Sequence, residues 1–326
     1  MTIKNDYCII ENEKGGTKMI LPYDVQKQVH DFFYDIDEYN IDCQFSELKY
    51  GRGKKNYERI LKRLETANLP DPSLLKYKTL STKEIKEYVV EIMCKIFGAS
   101  YRERLEQYSR LIRIYPIDNY FDSIVETDLE GENQVPKRIY ISNKCFSIQV
   151  LSTSHEYTHC LLSEYSTNLY NSVLNNVHYN ELLPIIVEYI VCYELSKILK
   201  EEDLENKHHI VRISHDKDQA AERKEALLLD SKIRQVKSPD VEMIKAYIAY
   251  QEHNSFGYIL SDIYAIHLLE IYKENHEFII SIIKAIIAGE KSINDLINYF
   301  NLSLGNIDII KRYNQTIDQI SLIKRK

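Results

Sequence analysis

Residues 155–159 read His-Glu-Tyr-Thr-His, inside the run VLSTSHEYTHCLLSEY, and as a working unit this pattern demands a helix. With 3.6 residues per turn and about 1.5 Å of rise per residue, positions i and i+4 share one face about 6 Å apart. His155 and His159 then offer two imidazoles to one metal ion, and Glu156, one step round, reaches a water on that ion. The segments on either side decide whether such a helix belongs to a working centre.

Those segments read as mostly helical. Among 326 residues there are only 9 glycines and 7 prolines, too few for a turn-rich β fold. The length is comfortable for two domains, and we expect a helical N-terminal region over 1–115 and the chemistry over 116–326. The fold class expected is mainly α, with a small β-sheet just before the HExxH helix. A formal charge of −7 argues against a nucleic-acid partner, which ordinarily needs a basic face. Basic clusters at 52–55 and 324–326 read as solvated surface. The opening MTIKNDYCIIENEKGG has no long apolar core, and no run of 18 apolar residues exists, so neither a secretory signal nor a membrane span is expected. Six cysteines without CxxC spacing then read as reduced thiols of a cytoplasmic protein. Cys160 adjoins His159 but points about 100° away from it, as a packing residue would.

Along the chain, 24–39 and 56–67 are modest helix candidates and 81–99 is the clearest one. There Ser81 and Glu84 form a capping box, and Ile85, Tyr88, Val89, Ile92, Ile96 and Phe97 make one stripe. Leu-Pro-Asp-Pro at 69–72 reads as a break. After a polar loop at 130–136, KRIYI and FSIQVL alternate as strands do, around a turn at 142–144. The metal helix should then start at Ser152 or Thr153, and an edge strand leading into it could hold an extended peptide. Further helices are expected over 181–200, 219–234, 241–275 (interrupted near 254–257), 276–288 and 292–301. A charged loop spans 201–207, and Gly289 ends a helix.

A catalytic zinc needs a third protein ligand and an open position. Downstream stand Glu164, Glu181, Glu188 and Glu194. Glu164 is on the same helix and points along it. Glu181 and Glu188 lie two turns apart on the next helix, in the apolar run ELLPIIVEYIV, so one can ligate while the other supports it.

At this point the chain resembles the zinc oligopeptidases that include thimet oligopeptidase and oligoendopeptidase F. Four segments carry the resemblance in order: RIYISNKCFSIQVLSTSHEYTHC, ELLPIIVE, HNSFGYILSDIYAIHLLEIY and FIISIIKAIIAGEKSINDLINYF. They span roughly 115–310. Three features depart from the family. Thr158 stands where the family has glycine, Ser255 and Phe256 replace two tyrosines, and the length is about half the usual. The large helical domain that roofs a deep channel in that family cannot all be present.

The resemblance implies a helical zincin-type (gluzincin) peptidase with one zinc per chain, held by His155, His159 and Glu181, with Glu188 in support. It implies peptide substrates, Glu156 as the base that activates a water, and Tyr258, with His253, as hydrogen-bond donors to the oxyanion. The remaining histidines, at 30, 178, 208, 209, 215, 267 and 276, read as structural or surface residues. The competing reading is a non-catalytic helical binding protein that retains a zinc site. A structural zinc would close its fourth position and would need neither Glu156 nor Tyr258.

Overall fold

The computed structural model describes residues 2–4, 7–11, 17–20, 52–115, 123–130, 133–142, 145–165, 181–235 and 255–323. Contacts divide the chain into two compact units, Met1–Tyr57 with Glu222–His253, and Glu58–Ala221 with Asn254–Lys326. The boundary expected at 115/116 falls inside the second of these units. The hydroxyls of Ser109 and Tyr157 sit 2.9 Å apart and Tyr108 meets Tyr157 edge-on, so residues before 115 share a core with the HExxH segment.

The first unit contains β1 (Thr2–Lys4), β2 (Tyr7–Glu11) and β3 (Thr17–Ile20), an antiparallel sheet in the order β1-β2-β3. The N-terminal region expected to be helical thus also contains strands among its described residues. The helix candidate at 24–39 lies outside the described residues, as do His30 and His178.

Helix α1 (Arg52–Thr66) precedes α2 (Thr82–Phe97) and α3 (Arg102–Leu111). The capping box of α2 forms as its sequence requires, with Glu84 accepting from the Ser81 backbone and Ser81 accepting from Glu84 N–H. The second sheet follows, from β4 (Ile112–Tyr115), β5 (Ser123–Glu130) and β6 (Asn133–Ser142), in the order β4-β6-β5. Strand β6 pairs parallel with β4 and antiparallel with β5, so the strand leading to the HExxH helix is central rather than an edge. The edges belong to β4 and β5.

Helix α4 (Ile148–Tyr165) carries HExxH and starts four residues earlier than Ser152. FSIQVL is thus not a second strand, although Phe146 keeps one bridge to Thr79. The reason is burial on every side. Ser147, Gln149, Thr153 and Ser154 are all enclosed, so period-two alternation no longer reports an outer face. Gln149 anchors the first turn by donating to the Ser142 carbonyl at 2.9 Å.

Helix α5 (Leu182–Leu199) is apolar all round, and every residue from Leu182 to Cys192 is buried. Pro184 sits in its first turn, where its missing N–H has no partner to lose. Lys200 ends the helix in the left-handed region at φ 52°. Helix α6 (Leu204–Gln235) is a single long element that absorbs part of the loop expected at 201–207. The remaining helices are α7 (Ser255–Glu274), α8 (His276–Ile287), α9 (Ile293–Tyr299) and α10 (Ile307–Ser321). Gly289 takes φ 73° just past α8, as expected of a residue closing that helix. The core of this unit is built where α5 lies between α4 and α7, with α2 against α4 and β6 beneath it. Among the described residues no helix is long and apolar enough to cross a membrane, and Cys94, Cys145, Cys160 and Cys192 are free thiols.

Candidate metal centre and cleft

Helix α4 turns His155 and His159 to one side, and the start of α5 brings Glu181 to them. His155 Nε2 lies 3.2 Å from His159 Nε2 and 3.1 Å from Glu181 Oε2, and the third side of the triangle, His159 Nε2 to Glu181 Oε2, is 3.4 Å. Donor atoms about 2.0–2.1 Å from a tetrahedral zinc stand about 3.3 Å from one another, so this triangle has the dimensions of one face of such a site. The nitrogen that His155 turns to the triangle is fixed from behind. Its Nδ1 lies 3.1 Å from Glu188 Oε2, an oxygen that can only accept, so a neutral His155 that donates there has its Nε2 lone pair free for an ion in the triangle. Three donor atoms gathered this closely match the dimensions of a site for one cation. Among the described residues this is the one trio of His, Cys, Asp or Glu donors gathered within 4.8 Å.

Glu181 is the residue that caps α5, with φ −87° and ψ −13°, and its carbonyl accepts from Ile185 N–H. Burial works against the charge on both carboxylates, yet both are held well below the usual carboxylate range. His159 and His155 do this for Glu181, and Arg212 followed by His155 and His208 does it for Glu188. The two acids left open by spacing alone thus take different positions. Glu181 touches the inner nitrogens of both histidines, and Glu188 touches the outer nitrogen of one.

Glu156 and Tyr258 line the same cleft as His155, a cavity of about 410 Å³ that also meets Asp71, Ser152, Arg212 and His215. Tyr258 stands in the first turn of α7, and its ring meets His215 edge-on at 5.0 Å. Burial, then the charge of Glu181, pushes the phenol well above its ordinary range, so it stays protonated and able to donate. Of the site residues expected from sequence, His155, Glu156, His159, Glu181 and Tyr258 are brought together, and His253 lies outside the described residues. Thr158, in the position of the family's glycine, is fully enclosed, with its hydroxyl bonded back to the Ser154 carbonyl at 2.8 Å. Two larger hollows, of about 750 and 670 Å³, lie elsewhere and are rimmed mainly by charged surface residues.

Sequence reasoning passed over the polar residues behind this site. His208, read as structural or surface, is buried, and its Nε2 sits 2.7 Å from Glu188 Oε1. One turn on, Arg212 donates twice to Asp262 of α7, at 3.0 and 2.6 Å, and Tyr189 donates to the same carboxylate at 3.0 Å. The available signal was the spacing i, i+4, i+8 of His208, Arg212 and Asp216, one polar stripe along α6.

The site defined by this fold is a candidate metal centre of two imidazoles from one helix and one carboxylate from the next. No family model matches the chain, and no curated protein does. Two solved structures are similar to it. One is a candidate peptidase from Chlamydophila abortus, at 12% identity and a TM-score of 0.49 over 97% of this chain and 68% of that one. The other is a candidate oligoendopeptidase F from Bacillus anthracis, at 13% identity and a TM-score of 0.46, where the match covers 82% of this chain and 55% of the other.

Proposed function

We propose that the protein is a zinc-dependent peptidase acting on oligopeptides, with one zinc held by His155, His159 and Glu181. The observation that carries this reading is the 3.1, 3.2 and 3.4 Å triangle of donor atoms, its inner nitrogen fixed by Glu188 from behind. When bound, zinc would polarise a carbonyl as a Lewis acid and lower the pKa of a water toward about 7. Glu156 takes the proton of the attacking water and carries it to the leaving amine. Tyr258 donates its phenolic hydrogen to the oxyanion of the tetrahedral intermediate. Strand β5 lies at the edge of its sheet and packs on α4, an arrangement that would offer an extended substrate main-chain partners.

The test is incubation of zinc-loaded protein with a peptide library, with cleavage read by mass spectrometry and Glu156→Gln as control. Cleavage that the control abolishes supports the reading. Zinc-loaded protein that cleaves nothing favours a binding protein that retains its metal.

A further inference from the structure

We infer that Arg212 and Asp262 form a positioning clamp that sets the zinc-facing imidazole of His155 and the Tyr258 phenol together, an inference that rests on the peptidase reading above. The guanidinium of Arg212 makes two parallel hydrogen bonds to Asp262, 3.0 and 2.6 Å long, a fork that fixes orientation as well as distance. Its remaining nitrogen, Nη1, lies 3.9 Å from Glu188 Oε2. That oxygen is the one bonded to His155 Nδ1. One cation thus stands between two buried carboxylates from different helices, and one of those carboxylates aims a metal-facing ring.

The other carboxylate acts on the opposite wall. Asp262 follows Tyr258 by four residues on α7, so the two share a helix face one turn apart. Anchoring Asp262 to α6 through Arg212, and to α5 through the Tyr189 hydroxyl, fixes the rotation of α7 about its axis. That rotation decides where the Tyr258 oxygen stands relative to Glu181. Asp262 is 0% exposed and Arg212 only 11%, and a pair so deeply buried gains little or nothing in stability over apolar residues of the same size. Positioning accounts for its presence better. A misplacement of about 1 Å costs about 10²-fold in rate, and Arg212 also lines the cleft.

The experiment compares wild-type protein with Asp262→Asn in three measurements. These are zinc affinity by chelator competition, kcat and KM on a peptide cleaved by the wild type, and the melting temperature of the zinc-free protein. In Asp262→Asn the guanidinium loses its charged partner and draws Glu188 away from His155. Zinc affinity should fall about 10-fold or more, and kcat about 10- to 100-fold, with KM little changed, as expected for a group that orients a ligand rather than binding one. Zinc affinity and kcat within about twofold of wild type, whatever the melting temperature, would overturn the clamp, since packing alone moves only the last measurement. If Asp262→Asn does not fold, Arg212→Lys, which keeps the charge but loses the fork, decides the matter in the same measurements. A wild type that binds no zinc overturns clamp and site together. A wild type that binds zinc but cleaves nothing overturns the peptidase reading, and the clamp is then decided on zinc affinity alone.

Discussion

Nδ1 of His155 lies 3.1 Å from Glu188 Oε2 while Nε2 of the same ring lies 3.1 Å from Glu181 Oε2, so one imidazole is gripped on both sides by carboxylates of a single helix. The two grips are not equivalent. Glu181 also reaches His159, at 3.4 Å, whereas Glu188 turns its other oxygen to His208 at 2.7 Å, away from the donor triangle.

The first prediction follows from that asymmetry. Glu181→Ala should remove most of the zinc from purified protein, as should His159→Ala. Glu188→Ala should leave zinc bound with affinity lowered about 10- to 100-fold, the usual cost of losing a partner that orients a ligand. Metal analysis of the purified variants, with chelator competition, checks the order. Zinc retained by Glu181→Ala and lost by Glu188→Ala would reverse the assignment.

Glu156→Gln should keep fold and metal and lose peptide hydrolysis. The amide is close in shape but cannot accept the water's proton, and loss of a general base costs about 10²- to 10⁴-fold. Steady-state kinetics on metal-replete protein are the check, and wild-type turnover in this variant would contradict the proposed base.

Tyr258→Phe should leave zinc content and melting temperature near wild type while kcat falls about 10²- to 10³-fold at nearly constant KM. The split matters because a packing tyrosine, in a chain with 26 of them, would shift the melting temperature first. A wild-type kcat would make Tyr258 a wall of the cleft and nothing more.

Acid should destabilise the protein through two histidines held neutral. Burial, and then the positive charges of His208 and Lys273, pushes His209 down to about 3. Burial, and then Arg212, pushes His215 down to about 4. In the unfolded chain both titrate near 6.5. As pH falls below about 6.5 the unfolded state takes up protons that the folded state refuses, so stability drops with pH until the folded values are reached. Urea unfolding at pH 7 and pH 5 should show a lower midpoint at pH 5, and His209→Gln should shrink the difference. Equal midpoints at the two pH values would mean that these rings are protonated in the fold.

The HExxH helix and the two acids facing it were legible because their signals are local. The i, i+4 histidines, the apolar run around Glu181 and Glu188, and the capping box at Ser81 each fix backbone and side-chain direction within a few residues. What failed depended on burial from outside the segment. FSIQVL alternates like a strand, yet it opens a helix enclosed on all sides, and no pattern within six residues distinguishes the two. The strand before it was expected at an edge because nothing in KRIYI shows that β4, more than twenty residues earlier, pairs with it. Arg212 and Asp262 are 50 residues apart, and neither carries a local pattern that would pair it with the other. Only the four-residue spacing of His208, Arg212 and Asp216 hinted that one face of α6 turns inward.

The apolar rod of α5 sets a rule of length for any redesign of this centre. Glu181 and Glu188 are joined by two turns of continuous, fully buried helix, so their separation is not adjustable by side-chain motion. One residue inserted between them would swing Glu188 about 100° round the axis and drive a charge into the neighbouring core. Exchanges among Ile185, Ile186 and Val187 for residues of similar volume would leave both grips on His155 in register. In ELLPIIVE the count of residues is therefore the invariant, and the identities between the two acids are open to change.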